Sequence, residues 1–373
     1  MRIAVTGAGG FLGWHARCAL RAQGTAEVIP IDRAIHADPR LLMTALDRVD
    51  AVLHLAGVNR PPNDELLRDN VRLAELITDA LDAAGVRPLI VYANSIQSGS
   101  QTLFGKTKQA GADHLAEWGK RTGSPVANIR LPNLFGEHGK PHYNSVVATF
   151  CHELVHGREP KIIEDRSLSL MHVQDAVDQM LELVARPKAG VFTPEGRSIR
   201  VSQILDKLRC FHDIYETTDI PSLADPLDRS LFNTYRSFTF PARFPIHPKV
   251  RADARGVLFE YVRSRGGQSQ VFCSSTRPGV TRGNHFHLRK VERFLVLAGS
   301  AVIELRRLFS EEVVKFEVSG REPAIVDMPT LWTHSITNTG SEDLMTLFWA
   351  DELLDPDHTD TFAELVHEHT EPR

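Results

Sequence analysis

Short apolar, β-branched runs alternate with helical stretches through the first half of the chain. IAVTG, EVIPID, AVLHLAG (51–57), PLIVYANS and VANIRL read as buried strands. GAGGFLGWHARCALRAQG, residues near 63–84 and TKQAGADHLAEWGKRTG read as a loop entering a helix and two further helices. Continuous apolar strands separated by helices pair in parallel and are covered on both faces. The expectation is a Rossmann-like, doubly wound α/β sheet, with a second α/β stretch running to about Thr193. From residue 256 the period changes. VLFEYVR, SQVFCSST, ERFLVLAGSAVIELR, VVKFEV, PAIVDM and LMTLFWA are short alternating strands, the pattern of an antiparallel barrel or jelly roll. Residues 221–248 hold Pro221, Pro226, Pro241, Pro245 and Pro248 with little clean periodicity, so the domain boundary is placed at their end, giving 1–247 and 248–373. Residues 352–373 are acidic and read as a final helix or tail.

Composition narrows the function classes. Hydrophobic residues make up 42% of the chain, charged residues 24%, and the net charge is −4. No basic block marks a nucleic-acid or anionic-membrane partner. No apolar run approaches the ~18 residues of a membrane span. The apolar part of MRIAVTGAGG is too short for a signal peptide and is needed as a strand. Cys18, Cys151, Cys210 and Cys273 are scattered with no C-x-x-C, as expected for reduced, buried thiols in a cytoplasmic protein.

The loop after the first strand carries Gly7, Gly10 and Gly13 at G-x-x-G-x-x-G spacing. In a strand–loop–helix setting the first glycine allows the tight turn, the second lets backbone approach a pyrophosphate, and the third allows close helix–sheet packing. The anion then meets the free amides of a helix N-terminus. Phe11 and Leu12 inside the loop, and Leu55 and Ala56 in HLAG (54–57), join the candidate cofactor contacts. Asp32 and Arg33 end the second strand. An acidic residue there suits the ribose 2′-OH of NAD, and an arginine suits the 2′-phosphate of NADP; the charge of Arg33 tilts the reading to NADPH.

A different chemistry lies in GVTRGNHFHLRKVERFLVLAG (279–299). Side chains two apart on a strand share a face, so His285 and His287 point the same way. Glu292 opens the return strand, and His334 follows in PTLWTHSITN. Three imidazoles and one carboxylate suit Zn, Fe, Mn or Ni, with room for water or substrate.

The glycine spacing, the HLAG stretch and a Ser…Lys pair resemble extended short-chain dehydrogenase/reductases acting on nucleotide sugars. In that family a Ser/Thr and a Tyr-x-x-x-Lys polarise and protonate a carbonyl. Ser95 matches the serine and Lys108 the lysine, but Phe104 stands where the tyrosine belongs. A phenyl ring cannot exchange a proton, so Ser95, Lys108 or a water they hold must supply it. Asn133, His142, Tyr143 and Asn144 lie in the loop that, in this family, meets the nucleotide sugar. The 279–299 stretch matches the first cupin motif at every spacing. The second, Pro-x-Gly-x-x-His-x-x-x-Asn, is met by Pro329, His334 and Asn338, with Leu331 replacing the glycine, so the turn is expected to form without a positive φ.

A reductase-like domain fused to a cupin resembles the CapF/WbjC family of capsule and O-antigen biosynthesis. RLPNLFG…KPHYNSVVATFCHE (130–153), SLMHVQDA (169–176), LFNTYRSF (231–238) and GNHFHLRKVERFLVLAG (283–299) carry that resemblance. That family also lacks the tyrosine. It implies a homodimer whose zinc cupin epimerises C3 of a UDP-2-acetamido-2,6-dideoxy-4-keto-hexose. An NADPH-dependent domain then reduces C4, giving UDP-2-acetamido-2,6-dideoxy-β-L-talose. Two other readings stay open: a single-function reductase or 4-epimerase with a structural cupin, and a catalytically dead sensor, for which Phe104 is the best argument.

Overall fold

The computed structural model describes residues 1–58 and 65–367. They form two compact units. One comprises Met1–Phe135, Gly139–Val146 and Ile163–Val201; the other comprises Gly136–His138, Val147–Ile162 and the chain from Ser202 on.

The first unit contains β1 (Arg2–Thr6), β2 (Glu27–Ile31), β3 (Ala51–His54), β4 (Leu89–Ser95), β5 (Val126–Leu131), β6 (Asn133–Phe135), β7 (Ser167–His172), β8 (Gly190–Phe192) and β9 (Arg197–Arg200). Six of these pair in parallel in the order β2-β1-β3-β4-β5-β8. Successive residues of each strand face opposite layers. Ile3, Val5, Leu53 and Val91 meet the helices Phe11–Gln23 and Val173–Ala185 on one side. Ala4, Val52, Ile90 and Tyr92 meet the helices Pro39–Leu46, Glu65–Ala84 and Leu103–Thr122 on the other. This is the Rossmann-like layering expected from the unbroken apolar strands. The predicted start of the helix at residue 63 lies outside the described residues. The strand order reverses between β1 and β3, which opens a crevice at their carboxyl ends. β6, β7 and β9 form a separate small sheet.

The second unit begins its strands with a hairpin of β10 (Arg251–Asp253) and β11 (Gly256–Leu258). Then come β12 (Gln270–Thr276), β13 (Thr281–Phe286), β14 (Glu292–Ala298), β15 (Ser300–Arg307), β16 (Val313–Ser319), β17 (Ile325–Met328), β18 (Trp332–Asn338), β19 (Leu344–Ala350) and β20 (Phe362–Ala363). They make two antiparallel sheets, β12-β19-β14-β17 and β16-β15-β18-β13-β20. Phe294, Val296 and Phe348 from the first sheet share a core with Ile303, Leu305 and Ile336 from the second.

Three stretches depart from the sequence reading. The proline-bearing segment contains a helix, Pro226–Thr239. Pro226 sits in its first turn, where no intrahelical donor is needed, and the Asp225 carboxylate accepts from the Leu227 amide at 2.9 Å. Leu227, Leu231, Phe232 and Tyr235 form its buried stripe. VLFEYVR yields only β11; the chain then leaves the ladder so that the Tyr261 hydroxyl can donate to the Arg293 carbonyl. The acidic tail, up to residue 367, forms no helix but adds β20 to the edge of β13. Of the four cysteines, all free thiols, Cys18 and Cys151 are buried as expected, but Cys210 and Cys273 are exposed, because they sit on outward faces of the helix Val201–Glu216 and of β12. Among the described residues no helix is long and apolar enough to cross a membrane.

Candidate nucleotide and metal sites

Gly7 and the HLAG stretch lie side by side at the switch point. Gly7 has φ +64, and a Cβ there would fall 2.9 Å from both Cα and N of Ala56. At Gly13 a Cβ would lie 2.1 Å from the Gly7 carbonyl oxygen, so only glycine lets the helix sit on the loop. Gly10 is the N-cap of Phe11–Gln23 and supplies no side-chain cap to that helix. Its first-turn amides, those of Phe11, Leu12 and Gly13, are left for an anion, which fits a dinucleotide pyrophosphate.

Thr6, which sequence reasoning missed, fixes this geometry. Its Oγ1 accepts from the amides of Leu55 and Ala56, each at 3.1 Å, and lies 2.9 Å from His54 Nδ1. With two donors already on that oxygen, the hydroxyl proton points to the imidazole. Burial, with smaller contributions from His36 and Lys108, pushes the His54 pKa down to about 3, so the ring stays neutral and accepts. A polar residue closing an apolar strand was the available signal. Asn70 also went unread. Its amide bonds both polar groups of Val58 and reaches Thr107 Oγ1 at 3.3 Å, joining the loop to the helix that carries Lys108.

Lys108 is only 6% exposed, unlike a solvated helix lysine. Its Nζ donates to the Ala93 carbonyl at 2.8 Å and stands 4.9 Å from the centre of the Tyr92 ring. A Cβ on Gly57 would come within 3.3 Å of the same nitrogen. The ammonium therefore borders the glycine-lined crevice. Burial lowers its pKa to about 8. Ser95, two residues beyond Ala93, ends β4 with its Oγ accepting from the Gln97 amide at 3.2 Å. Phe104 is half-buried on the helix of Lys108.

The remaining sugar and ribose candidates are placed less uniformly. Asp32 caps the short helix Arg33–Ala37, accepting from the Ile35 amide at 2.9 Å, while Arg33 is exposed. Asn133 spends its amide group on the Ser169 carbonyl at 3.0 Å, tying β6 to β7. His142 and Asn144 are exposed, and Tyr143 lies 5.3 Å from the Lys140 ammonium.

In the second unit four side chains converge. One ligand atom from each of His285, His287, Glu292 and His334 lies within 4.8 Å of all the others. His285 and His334 are direct partners across β13 and β18, His287 follows β13, and Glu292 opens β14 in the opposite sheet. A bulge at Gly283, with φ +97, re-aims the strand; a Cβ there would lie 2.7 Å from the His334 carbonyl oxygen.

The arrangement of donor atoms suits a cation. His287 Nδ1 faces the Asp360 carbonyl, which can only accept, so Nδ1 carries the proton. Nε2 is thereby aimed at Glu292 Oε2, 3.0 Å away. His334 Nε2 is buried, 3.7 Å from the same oxygen. Acceptors this close repel unless a proton or metal ion lies among them. Burial opposes charge on His287, yet the carboxylate of Glu292 beside it holds its pKa above the ordinary value. Burial lowers His285 to about 3 and also lowers His334. Burial alone would raise Glu292, but His287 and His334 hold it well below the usual carboxylate range. A carboxylate and imidazole nitrogens facing one another in a dry pocket fit a borderline divalent ion.

Leu331 corrects the expectation for the second motif. It keeps the positive φ, +67, despite its side chain. Its amide donates to the His287 carbonyl at 2.8 Å, and its own carbonyl accepts from the Leu308 amide at 3.2 Å. Trp332 packs edge-on against Phe240 at 4.8 Å.

Comparison with known proteins agrees with both halves. Residues 3–194 match the NAD dependent epimerase/dehydratase family, and residues 251–362 match the polysaccharide biosynthesis C-terminal domain. A Pseudomonas aeruginosa protein named UDP-2-acetamido-2,6-beta-L-arabino-hexul-4-ose reductase is 32% identical over 99% of this chain and its own full length. The crystal structure of the capsular polysaccharide assembling protein CapF from Staphylococcus aureus is 31% identical, covers 98% of this chain and 100% of that one, and superposes with a TM-score of 0.63. A UDP-N-acetylglucosamine 4-epimerase from Bacillus cereus, 21% identical over 57% of this chain and 82% of its own, shares the fold alone, with a TM-score of 0.52. With both halves matched and both full-length relatives covered end to end, this chain belongs to the CapF/WbjC family.

Proposed function

We propose that the chain is a bifunctional nucleotide-sugar enzyme. It epimerises C3 of a UDP-2-acetamido-2,6-dideoxy-4-keto-hexose at a zinc site of cupin type, then reduces the C4 ketone with NADPH to UDP-2-acetamido-2,6-dideoxy-β-L-talose. The observation that carries this reading is the convergence of His285, His287, Glu292 and His334 in a chain whose other unit holds the glycine loop and the buried Lys108. The two centres fall on either side of the 247/248 boundary assigned from the sequence, and we propose that the active form is a homodimer.

Chemistry sets the order. The C3 proton is acidic only while C4 is a ketone, so epimerisation precedes reduction. His285, His287, Glu292 and His334 would hold the metal, which when bound supplies Lewis acidity toward the C4 oxygen. In the reductase half, the Phe11–Gly13 amides hold the cofactor pyrophosphate. Arg33 reads the 2′-phosphate, a choice supported by the commitment of Asp32 to its helix cap. NADPH supplies the hydride when bound. Lys108 holds the nicotinamide ribose from its anchor on Ala93, and Ser95 donates a hydrogen bond to the C4 oxygen. Phe104 offers no proton, so Ser95, Lys108 or a water between them delivers it. Asn133, His142, Tyr143 and Asn144 bind the nucleotide sugar, Asn133 through the side-chain oxygen that its bond to Ser169 leaves available.

The test is to incubate the protein with the 4-keto substrate in D₂O, follow the C3 proton by NMR, and then add NADPH. Exchange at C3 that a chelator abolishes, followed by NADPH oxidation, is the expected result. NADPH oxidation without C3 exchange would reduce the protein to a simple reductase with a structural β domain. Absence of both signals would remove the enzymatic reading.

A further inference from the structure

The tail beyond residue 359 runs along the proposed metal cluster, and its contacts do more than cover an edge. The Asp360 carbonyl accepts from His287 Nδ1, which turns Nε2 toward Glu292 Oε2, 3.0 Å away. The Asp360 carboxylate accepts three consecutive amides, from Leu288 at 2.9 Å, Arg289 at 2.6 Å and Lys290 at 2.7 Å. Those residues form the turn between His287 and Glu292. The next residue, Thr361, receives the Lys290 ammonium at 3.1 Å. Ala363 pairs with His285 itself and Phe362 with Phe286. The Glu364 amide donates to the Asn284 carbonyl at 2.9 Å, and Thr333, next to His334, donates to the Glu364 carbonyl. The buried Arg306 closes the far end, donating to the carbonyls of Leu365 and Val366 at 2.7 Å each.

We propose that residues 360–366 are a strap that completes the metal centre, with Asp360 as its positioning residue. Its carbonyl orients the His287 ring through Nδ1, and its carboxylate fixes the turn that leads to Glu292. This inference rests on the metal reading above. Its logic is that of outer-shell partners in general: a ligating imidazole whose second nitrogen is held presents one defined lone pair, and losing such a partner typically weakens binding about 10–100-fold.

The experiment titrates zinc against a competing chelator in wild type, Asp360→Asn and Asp360→Ala. Asp355→Asn serves as control, since Asp355 is exposed and bonds only within its own loop. The strap predicts affinity falling in the order wild type, Asn, Ala, about 10-fold or more for Ala. The control should be unchanged. A purely structural Asp360 would lower the melting temperature and leave the zinc constant of the folded protein as it was, which would overturn the proposal. Should Asp360→Ala fail to fold, Asp360→Asn, which retains one acceptor oxygen, carries the same test. A wild type that binds no zinc overturns the metal reading and this inference together. A wild type that binds zinc beside a variant that binds it equally overturns the strap alone.

Discussion

Leu331 is a leucine in a backbone state that suits glycine, fully buried, with both its polar backbone groups bonded. The left-handed region costs a side-chain-bearing residue roughly 1–2 kcal/mol, while a buried leucine side chain is worth about 2–5 kcal/mol against truncation. Burial wins, which is why the motif's glycine is dispensable here. The consequence is an inverted series: Leu331→Ala loses the packing and keeps the strain, whereas Leu331→Gly loses the packing and relieves it. Urea denaturation should therefore find the alanine variant less stable than the glycine variant by about 1 kcal/mol. The reverse order would show that the strain is absent. Lys108 poses the opposite problem, a charge in an apolar setting. Its pKa lies near 8 instead of 10.5. Below pH 8 both folded and unfolded chains carry the proton, so folding bears the full cost of the buried charge. Between about pH 8 and 10.5 the unfolded chain holds more proton, and stability rises with pH. Lys108→Met should gain on the order of 1–3 kcal/mol at pH 7, after losing the bond to Ala93, and that gain should shrink above pH 8. It should also abolish ketone reduction, whose kcat/KM in the wild type should decline above pH 8. Motif spacing made Lys108 and the four ligand candidates legible in the sequence. Thr6 and Asp360 were not, because a hydroxyl that collects two amides and a carboxylate that collects three leave no spacing to read.

Elements with a strict period were legible and those defined by their neighbours were not. β1, β3 and β4 follow from unbroken apolar runs. The helix Pro226–Thr239 was hidden by its prolines, although Asp225 followed by Pro226 is a helix start. What holds the second unit's helices to its sheet is equally invisible in one dimension. Arg293 on β14 and Asp327 on β17, both fully buried, pair at 2.6 and 3.0 Å. The same guanidinium donates to the Thr218 carbonyl at 2.8 Å, and the Tyr215 hydroxyl donates to Asp327 at 2.6 Å. Burial opposes both charges, but each partner overrides it: the pKa of Arg293 is raised and that of Asp327 lowered. Removing one partner strands the other. Arg293→Met or Asp327→Asn should cost about 3–5 kcal/mol by chemical denaturation. The double variant Arg293→Met with Asp327→Leu should recover a large part of that, since paired charges in a dry interior are not intrinsically stabilising. Additive losses in the double variant would mean that the bonds to Thr218 and Tyr215 matter more than the ion pair.

At the scale of the whole chain the proposed reaction makes one demand: the product of the first step is the substrate of the second, and each step uses residues from a different compact unit. If the two centres are chemically independent, damage to each should be separable. His285→Ala should lose C3 exchange while still oxidising NADPH with a substrate already epimerised at C3. Lys108→Met should do the reverse, exchanging C3 in D₂O without consuming NADPH. Neither variant alone should form the reduced sugar from the original ketone. Mixed together they should form it, after a lag in which the epimerised ketone released by one chain accumulates before the other reduces it. The lag should shorten as the Lys108→Met protein is increased, because that chain then supplies all of the epimerisation. A mixture that exchanges C3 and yet never oxidises NADPH would contradict a freely released intermediate. It would require both centres intact in the same assembly, a constraint that the chemistry of the 4-keto sugar does not itself impose.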